Sequence, residues 1–436
     1  MKSEKVNGFT LIELLAVIVI LAIILVIAIP KILNVIEETK KDSLKNTAQL
    51  IADSAEKEKI SNELLEKDDD ITCKRVAKIS DEDYASCKIT FDEEGNAKVS
   101  IIGKGKFDGL AVIDGTKMSS DVIELELPEY GVGKTYIENL YNNEVLRNVN
   151  NLKKDNTVDE NIRYYGSDPN NYVRFNNELW RIIGIFGNNV KLVRSEKIGN
   201  LSWDSSDSAI NNGYGINQWG ESTYEDGTTY EGSDLMQYLN KMYYGGETTI
   251  TCYGSANNGT TTCPTNKLDS TSKALIDNYT WNLGGVISAS DTVAFYKAER
   301  GTVNGKICTG GDGCNDTVKR TTEWPGYIGL PYATDYAYAS GESICETNMV
   351  KQDSNNVYIC KNDNWMFKNT WYWTISPFAN SGHSRFVWRV NSDGRVISNY
   401  AEYGGPVFPA IYLKSNILIE SGKGTSDNPY ILKAGS

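Results

Sequence analysis

The chain has 436 residues, a length that predicts two or three domains. Its formal net charge of -13 disfavours broad binding to the phosphate backbone of nucleic acids. The composition includes 26 tyrosines, 9 tryptophans and 1 histidine, which suits β surfaces and interfaces better than acid–base chemistry near neutral pH. We therefore expect a protein that is not an enzyme and that has neither a cofactor nor a nucleic-acid partner.

A long apolar segment follows a short polar leader at the N-terminus. Residues 1–8, MKSEKVNG, form the leader, and every residue from Leu14 to Ile29 is apolar. With residues 9–13 the run approaches the ~20 residues that a helix needs to span a bilayer, and the lysines of the leader should hold the N-terminus in the cytoplasm. An ordinary secretory signal has a shorter apolar core and a small-residue cleavage site. Here the run continues directly into another helical pattern, so we expect the segment to be retained.

A carboxylate, Glu13, lies inside this apolar run. An acidic group at the centre of a spanning helix costs about 2.5–3.5 kcal/mol, and less near the interface, so Glu13 predicts a cationic partner. Cleavage after Gly8 would free an amine at Phe9, one helical turn from Glu13. In an assembly of parallel helices the amine could equally belong to a neighbouring chain. A plain membrane anchor with an accidental glutamate is the alternative.

Residues 5–31 resemble the class III signal of type IV prepilins and the related pseudopilins: a glycine, a phenylalanine, a glutamate four residues later, an apolar run and a proline. The resemblance implies that prepilin peptidase cuts after Gly8, that Phe9 becomes the N-methylated first residue, and that Glu13 pairs with the N-terminal amine of an adjacent subunit. It also implies a helix kink at Pro30. The implied partners are the peptidase, other pilin subunits and the cytoplasmic membrane. The implied location is a single-pass membrane protein with its N-terminus inside, and later the cell surface or pilus.

The apolar segment continues into an amphipathic helix and then into a region of strands. One apolar stripe, at spacings of four, three and four residues, is formed by Leu44, Ala48, Ile51 and Ala55. We expect a helix over residues 9–67, of which 9–30 form the transmembrane and assembly segment. Residues 71–127 alternate in short β-like runs with a hairpin turn at 94–96, and residues 68–150 are predicted to form a pilin-like head. We predict an α+β fold that begins with a pilin-like unit, a long helix packed on a small antiparallel sheet.

A second, larger region follows. The polar stretch 151–161 is predicted to be a linker, and residues 162–436 one loop-rich α+β domain outside the cell. The tryptophan placement (Trp180, Trp203, Trp373) and the closing PVFPAIYL loosely resemble C-type-lectin and formylglycine-generating-enzyme-like bacterial domains. The enzyme's catalytic cysteine pair cannot be mapped here, so the resemblance implies no activity. Most tryptophans are expected in the core; surface aromatics could stack on sugars, which makes a glycan a candidate ligand.

Eight cysteines form four neighbouring couples, and each couple closes a short polar loop. They are Cys73, Cys87, Cys252, Cys263, Cys308, Cys314, Cys345 and Cys360. No CxxC occurs, and with one histidine a four-ligand zinc site would need several distant cysteines. In an exported protein an even count grouped in this way predicts disulfides, mostly between neighbours, although the connectivity stays formally open. Reduced thiols in a cytosolic chain are the alternative.

Three further patterns offer little chemistry. YGVGKTY at 130–136 invites comparison with a phosphate loop, but Pro128 stands where that motif needs a glycine; a glycine turn before a surface helix is the better interpretation. His383 has no carboxylate or nucleophile arranged with it locally and is expected on the surface. GGDGCND at 310–316 and the sequence Asn362-Asp363-Asn364 offer oxygen atoms to calcium. Neither has the EF-hand spacing, so we expect ordinary loops and predict no metal site.

The sequence thus predicts a type IV pilin-like filament subunit with a large C-terminal domain for surface contact or adhesion. A small major pilin lacks the extra domain of about 270 residues, so a minor or tip position is expected. A pseudopilin of a secretion or DNA-uptake system is the alternative within the family. A membrane-anchored surface binding protein that never polymerises is the alternative from another class.

Overall fold

The computed structural model describes residues 11–66, 71–78, 83–205, 217–223, 229–255, 259–286, 292–301, 322–347, 349, 359–379 and 385–435. Gly8, Phe9, Cys308, Cys314 and His383 therefore lie outside the described residues, as does the stretch 310–316. The chain divides into two compact units, Met1–Glu126 and Leu127–Ser436. The predicted α+β class, with a long N-terminal helix and antiparallel sheets, is confirmed.

The first element is one long helix, α1 (Leu11–Leu64). The chain stays helical through Pro30, whose nitrogen carries no hydrogen to donate. The side chains of Glu13 and Pro30 lie outside the described part of the structure. Among the residues that are described, no helix combines the length and the hydropathy that a membrane crossing requires.

The rest of unit 1 (Met1–Glu126) is a small sheet that packs on the second half of α1. A short helix, α2 (Cys73–Ala77), precedes an antiparallel sheet whose strands lie in chain order. The strands are β1 (Tyr84–Phe91), β2 (Ala97–Gly103), β3 (Leu110–Gly115) and β4 (Val122–Glu124). The predicted stripe of Leu44, Ala48, Ile51 and Ala55 is fully buried, together with Ala52. It packs against Val99, Ile101, Phe107, Leu110 and Val112. The predicted packing of an amphipathic helix on a small antiparallel sheet is therefore confirmed.

Unit 2 (Leu127–Ser436) contains many short elements. Its described strands are β5 (Gly131–Val132), β6 (Leu152–Lys154), β7 (Ile162–Tyr164), β8 (Tyr172–Phe175), β9 (Glu178–Phe186), β10 (Asn189–Arg194), β11 (Gly199–Ser202), β12 (Ser222–Thr223), β13 (Thr229–Tyr230), β14 (Cys252–Ser255), β15 (Gly259–Thr261), β16 (Tyr279–Asn282), β17 (Glu323–Gly326), β18 (Ile328–Gly329), β19 (Tyr372–Pro377), β20 (Phe386–Val390), β21 (Val396–Tyr400), β22 (Gly404–Val407), β23 (Ala410–Tyr412), β24 (Leu418–Ser421) and β25 (Tyr430–Lys433). Its described α-helices are α3 (Gly133–Asn142), α4 (Glu144–Val149), α5 (Asp234–Gln237), α6 (Ser270–Leu275), α7 (Thr292–Glu299), α8 (Ala333–Tyr338), α9 (Ile344–Thr347) and α10 (Ile359–Asn362), and a π-helix (Tyr238–Tyr244) follows α5.

One large sheet organises unit 2. Its strand order is β18-β23-β10-β9-β8-β25-β24-β5, and β7 joins both β6 and β9. The pairing of β25 with β8 is parallel, whereas β9 and β10 form an antiparallel hairpin. A smaller antiparallel sheet, β19-β20-β21, lies in the last third of the chain. Because β5 and β25 belong to the same sheet, the beginning and the end of unit 2 are held together.

The boundary between the two units lies earlier in the chain than predicted, after Glu126. Residues 127–150 were predicted to belong to the head and 151–161 to be a linker, but both stretches pack within unit 2. Strand β5 pairs with β24, and β6, inside the predicted linker, pairs with β7. The polar composition of 151–161 was misleading because several of its polar groups are buried in hydrogen bonds. The glycine-rich stretch 130–136 forms β5 and the start of α3, in line with a glycine turn before a helix.

Three of the neighbouring cysteine couples are joined as disulfides: Cys73 to Cys87, Cys252 to Cys263 and Cys345 to Cys360. Each closes a local loop, with sequence separations of 14, 11 and 15 residues respectively. The first links α2 to β1 at the start of the head sheet.

Candidate functional site

The candidate site is the part of α1 that precedes its contact with the sheet. Residues 31–40 are all exposed. Ile29, Ile32, Leu33 and Ile36 follow the spacing i, i+3, i+4, i+7 and therefore share one face of the helix. Each of these four side chains is between 46% and 58% exposed. We call these four residues the exposed segment. Apolar side chains in this pattern usually pack against another helix or another protein.

An ion pair marks the place where α1 reaches the head. Lys41 Nζ contacts the carboxylate of Glu124 and lies 3.4 Å from Glu37 Oε1. The hydrogen bond from Lys41 to Glu124 raises the pKa of this lysine. Leu44 is the first fully buried side chain after this pair. The exposed segment therefore ends two turns before the helix begins to bury residues against its own sheet.

Further polar contacts fix the second half of α1 on the sheet. Glu56 Oε2 lies 2.5 Å from Lys117 Nζ, and Glu56 Oε1 accepts a hydrogen bond of 3.1 Å from the backbone amide of Ala97. Glu58 pairs with Arg75 at 2.7 Å. Together with the buried stripe, these contacts hold the head on residues 41–64 of α1. They leave the exposed segment free to meet another molecule.

A second cluster of charged residues lies in the core of unit 2. Arg163 Nε donates to Asp155 at 2.6 Å and Arg163 Nη1 donates to Asp335 at 2.8 Å. Lys191 Nζ donates to the other oxygen of Asp335 at 2.6 Å. The charged side chains of all four residues are at most 1% exposed. Opposite charges thus compensate one another where water cannot solvate them.

The pKa values of this cluster follow from burial and charge pairing. Burial by itself would raise the pKa of Asp335. The positive charges of Lys191 and Arg163 together have a larger effect, so the pKa of Asp335 is lowered. Burial lowers the pKa of Lys191 to about 8, although Asp335 opposes the shift. Glu299 lies outside these four residues but is also a buried carboxyl group, and burial raises its pKa to about 7 against the opposing effect of Arg300. Such values occur at catalytic sites, but Lys191 and Glu299 are fully buried, so we assign them to the core.

This cluster was not predicted from the sequence. Asp155 falls within the predicted polar linker, and no sequence motif contains Arg163, Lys191 or Asp335. The available signal was a basic residue within each of two apolar strands, Arg163 in IRYY and Lys191 in VKLV. A charge at an inward-facing strand position requires a partner, but the sequence did not reveal which distant carboxylate supplies it.

Other predicted site residues have structural roles. Asn364, in the predicted calcium-like stretch, donates through Nδ2 to the carbonyl of Tyr336 at 2.8 Å and accepts through Oδ1 from the amide of Met366 at 2.9 Å. Within the described part of the chain, no three His, Cys, Asp or Glu side chains are grouped to hold a metal. Trp180, Trp203 and Trp373 are all fully buried. These three tryptophans therefore lie in the core, where they cannot stack on a sugar.

A family model of the prokaryotic N-terminal methylation motif matches residues 5–29. No curated protein and no solved structure matches the chain. The match confirms the resemblance of the N-terminus to the class III signal of type IV prepilins and pseudopilins, and it includes Gly8, Phe9 and Glu13. It supports a subunit of this family that is processed by prepilin peptidase and assembles with other pilins. The resemblance of the C-terminal region to C-type-lectin-like domains finds no support.

Proposed function

We propose that the mature chain is a filament subunit that carries unit 2 on the outside of the cell. The observation that carries the proposal is the methylation motif at residues 5–29, whose residues 11–29 form the first part of α1. Directly after the motif, α1 exposes an apolar face that its own head does not cover. Parallel helices of neighbouring subunits supply the apolar surroundings that such a face needs.

In this proposal Gly8, Phe9 and Glu13 have separate roles. Prepilin peptidase cuts after Gly8, and Phe9 becomes the methylated first residue. The amine of Phe9 pairs with Glu13 of an adjacent subunit. A carboxylate in an apolar helix bundle costs several kcal/mol unless a cation compensates it, so this pairing would favour assembly in one register. The chain would first be stored in the cytoplasmic membrane and then move to the cell surface.

Processing is tested by the mature N-terminus. Co-expression with an active prepilin peptidase should remove residues 1–8 and leave a methylated Phe9, which mass spectrometry detects. An intact Met1 terminus in cells that contain the active peptidase would contradict the proposal.

Assembly is tested by Glu13→Ala. The variant should still be cut and methylated but should enter sheared filaments about tenfold less, because the loss of one buried ion pair of 1.4 kcal/mol or more corresponds to a factor of about ten. Glu63→Ala is the matched control, since Glu63 is an exposed carboxylate on the same helix and should assemble normally. Normal incorporation of Glu13→Ala would refute the role given to Glu13.

The size of unit 2 favours a minor or tip subunit that makes contact outside the cell. A glycan array and binding to matrix proteins and cell surfaces test this part of the proposal. The tested fragment should begin at Leu127, because a fragment beginning near residue 160 would lose β5 and β6, which pair within the large sheet. Failure to bind any of these surfaces would remove adhesion and leave the filament proposal standing. Co-purification with a secretion or DNA-uptake machine, without surface filaments, would favour the pseudopilin alternative.

A further inference from the structure

Lys191 and Asp335 bring an amine and a carboxyl group into direct contact in the core of unit 2. Lys191 Nζ lies 2.6 Å from Asp335 Oδ2, and both side chains are at most 1% exposed. Lys191 belongs to β10, whereas Asp335 belongs to α8, 144 positions later in the chain. An amine and a carboxyl group differ from an amide only by one molecule of water. The contact therefore contains every atom that an amide bond between the two side chains requires.

The amine of Lys191 lies among aromatic rings that exclude water. Its Nζ atom is 4.2 Å from the ring centre of Tyr332 and 5.3 Å from that of Trp281. Burial lowers the pKa of Lys191 from an ordinary value of 10.5 to about 8, although Asp335 opposes the shift. The neutral form of an amine is the nucleophilic one. Burial therefore makes this form easier to reach near neutral pH than it is for an exposed lysine.

An amide bond would also remove two buried charges from the core. The cluster contains two cations and two carboxylates, and a buried charge is costly even when it is paired. Joining Lys191 to Asp335 consumes one charge of each sign. It leaves Arg163 and Asp155, which are paired at 2.6 Å, as a neutral unit. Burial also keeps away the bulk water that would favour hydrolysis, so the core favours the uncharged product.

We propose that Lys191 and Asp335 form an intramolecular isopeptide bond. Nζ first gives a proton to Oδ2 across their contact, which leaves a neutral amine and a neutral carboxyl group. The lone pair of Nζ then forms the Nζ–Cγ bond while an electron pair moves to Oδ1. When this tetrahedral intermediate collapses, the Cγ–Oδ2 bond breaks, and Oδ2 takes a second proton from Nζ and leaves as water. The reaction needs no oxidant, reductant or external reactant.

Two neighbouring donors stabilise the charges that develop in this reaction. Arg163 Nη1 donates to Oδ1 at 2.8 Å, where the negative charge of the intermediate appears. The backbone amide of Tyr332 donates to Oδ2, the leaving oxygen, at 2.9 Å. Although burial would raise the pKa of Asp335, Lys191 and Arg163 lower it. The first proton transfer is therefore unfavourable, and the bond should form slowly after folding.

The bond would constrain unit 2 more widely than its described disulfides do. Those disulfides close loops with sequence separations of 11 and 15 residues, whereas the proposed bond spans 144 residues. Closing a longer loop restricts the unfolded chain more, and a reducing agent does not open an amide. Both residues belong to unit 2, so the inference does not depend on filament assembly.

Mass spectrometry of the purified full chain, aged for several days and then reduced and alkylated, tests the bond. Its mass should fall below that calculated from the sequence by one molecule of water. Trypsin does not cut after an acylated lysine, so a linked product should join peptide 182–194 to peptide 321–351, which contains Asp335. Fragment ions should place the link at positions 191 and 335. Separate peptides 182–191 and 321–351, both at full mass, would overturn the proposal.

The surface pair of Lys57 and Asp53 is a matched control in the same digest. Lys57 Nζ also lies 2.6 Å from Asp53 Oδ2, but these side chains are 72% and 42% exposed. Trypsin should cut after Lys57, and no linked peptide should appear. A link at Lys57 as well would indicate unspecific crosslinking and would overturn the assignment to a site in the core.

Lys191→Arg provides a second measurement. The substitution keeps the positive charge but replaces the amine by a guanidinium group, which stays protonated and cannot take part. The variant should have the full calculated mass. On a reducing, denaturing gel it should migrate more slowly than the wild type, because its unfolded chain lacks the closed loop. Equal mobility of the two would overturn the bond, and the wild-type peptides decide the question even if the variant does not fold.

Discussion

The buried carboxyl group of Glu299 predicts how the stability of unit 2 depends on pH. Glu299 ends α7 and accepts hydrogen bonds from Ser376 Oγ, at 2.6 Å, and from the hydroxyl of Thr334. Burial raises its pKa from an ordinary value of 4.5 to about 7. The folded chain therefore holds this proton more tightly than the unfolded chain does.

The direction of the effect follows from linkage between protonation and folding. Because the folded-state pKa of Glu299 is the higher one, its contribution to stability is fully present below about pH 4.5 and is lost as the pH rises through about 7. One pKa unit corresponds to about 1.4 kcal/mol. Charging Glu299 should therefore lower the free energy of unfolding of unit 2 by about 3 kcal/mol between about pH 4.5 and pH 8.

Glu299→Gln isolates this contribution, because glutamine keeps the shape of the side chain and does not titrate. Denaturant unfolding followed by tryptophan fluorescence is the assay: all 9 tryptophans lie between positions 180 and 388, so the signal reports unit 2 alone. Wild-type stability should fall by about 3 kcal/mol relative to Glu299→Gln between pH 4.5 and 8. Glu420→Gln, at an exposed carboxylate of the same unit, should follow the wild type. If the difference in unfolding free energy between the wild type and Glu299→Gln does not change with pH, the effect assigned to Glu299 is wrong.

Two further substitutions test the cores of the two units. Ile51→Ala removes a fully buried side chain between α1 and the head sheet and should destabilise unit 1 by about 2–5 kcal/mol, measured as faster amide hydrogen exchange in α1 and β2. Ile60→Ala, at an exposed site of α1, should leave amide exchange unchanged. If Ile51→Ala and Ile60→Ala change the exchange rates equally, the assigned packing of α1 is wrong. Asp335→Asn leaves Arg163 and Lys191 without their shared carboxylate and should cost unit 2 about 3–5 kcal/mol; an unchanged fluorescence midpoint would contradict that role.

In the N-terminal part of this protein, the sequence alone was sufficient to recognise the methylation motif and to predict the buried face of α1. A run of apolar residues interrupted by Glu13 has few physical explanations, so the motif could be recognised without tertiary information. The stripe through Leu44, Ala48, Ile51 and Ala55 predicted the buried face of α1 because helical spacing is a local property. The three disulfides within the described residues join cysteines that are neighbours in sequence, and their local spacing made this pairing predictable.

Only the tertiary structure decided the boundary of unit 2 and the content of its core. Strand β5 belongs to unit 2 because it pairs with β24, nearly 290 residues later in the chain, and no local pattern encodes such a pairing. In the same way, Asp155 is a polar loop residue by composition, yet folding places it against Arg163. Local spacing determines which face of an element is apolar, whereas long-range contacts determine what that face, or a buried charge, finally meets.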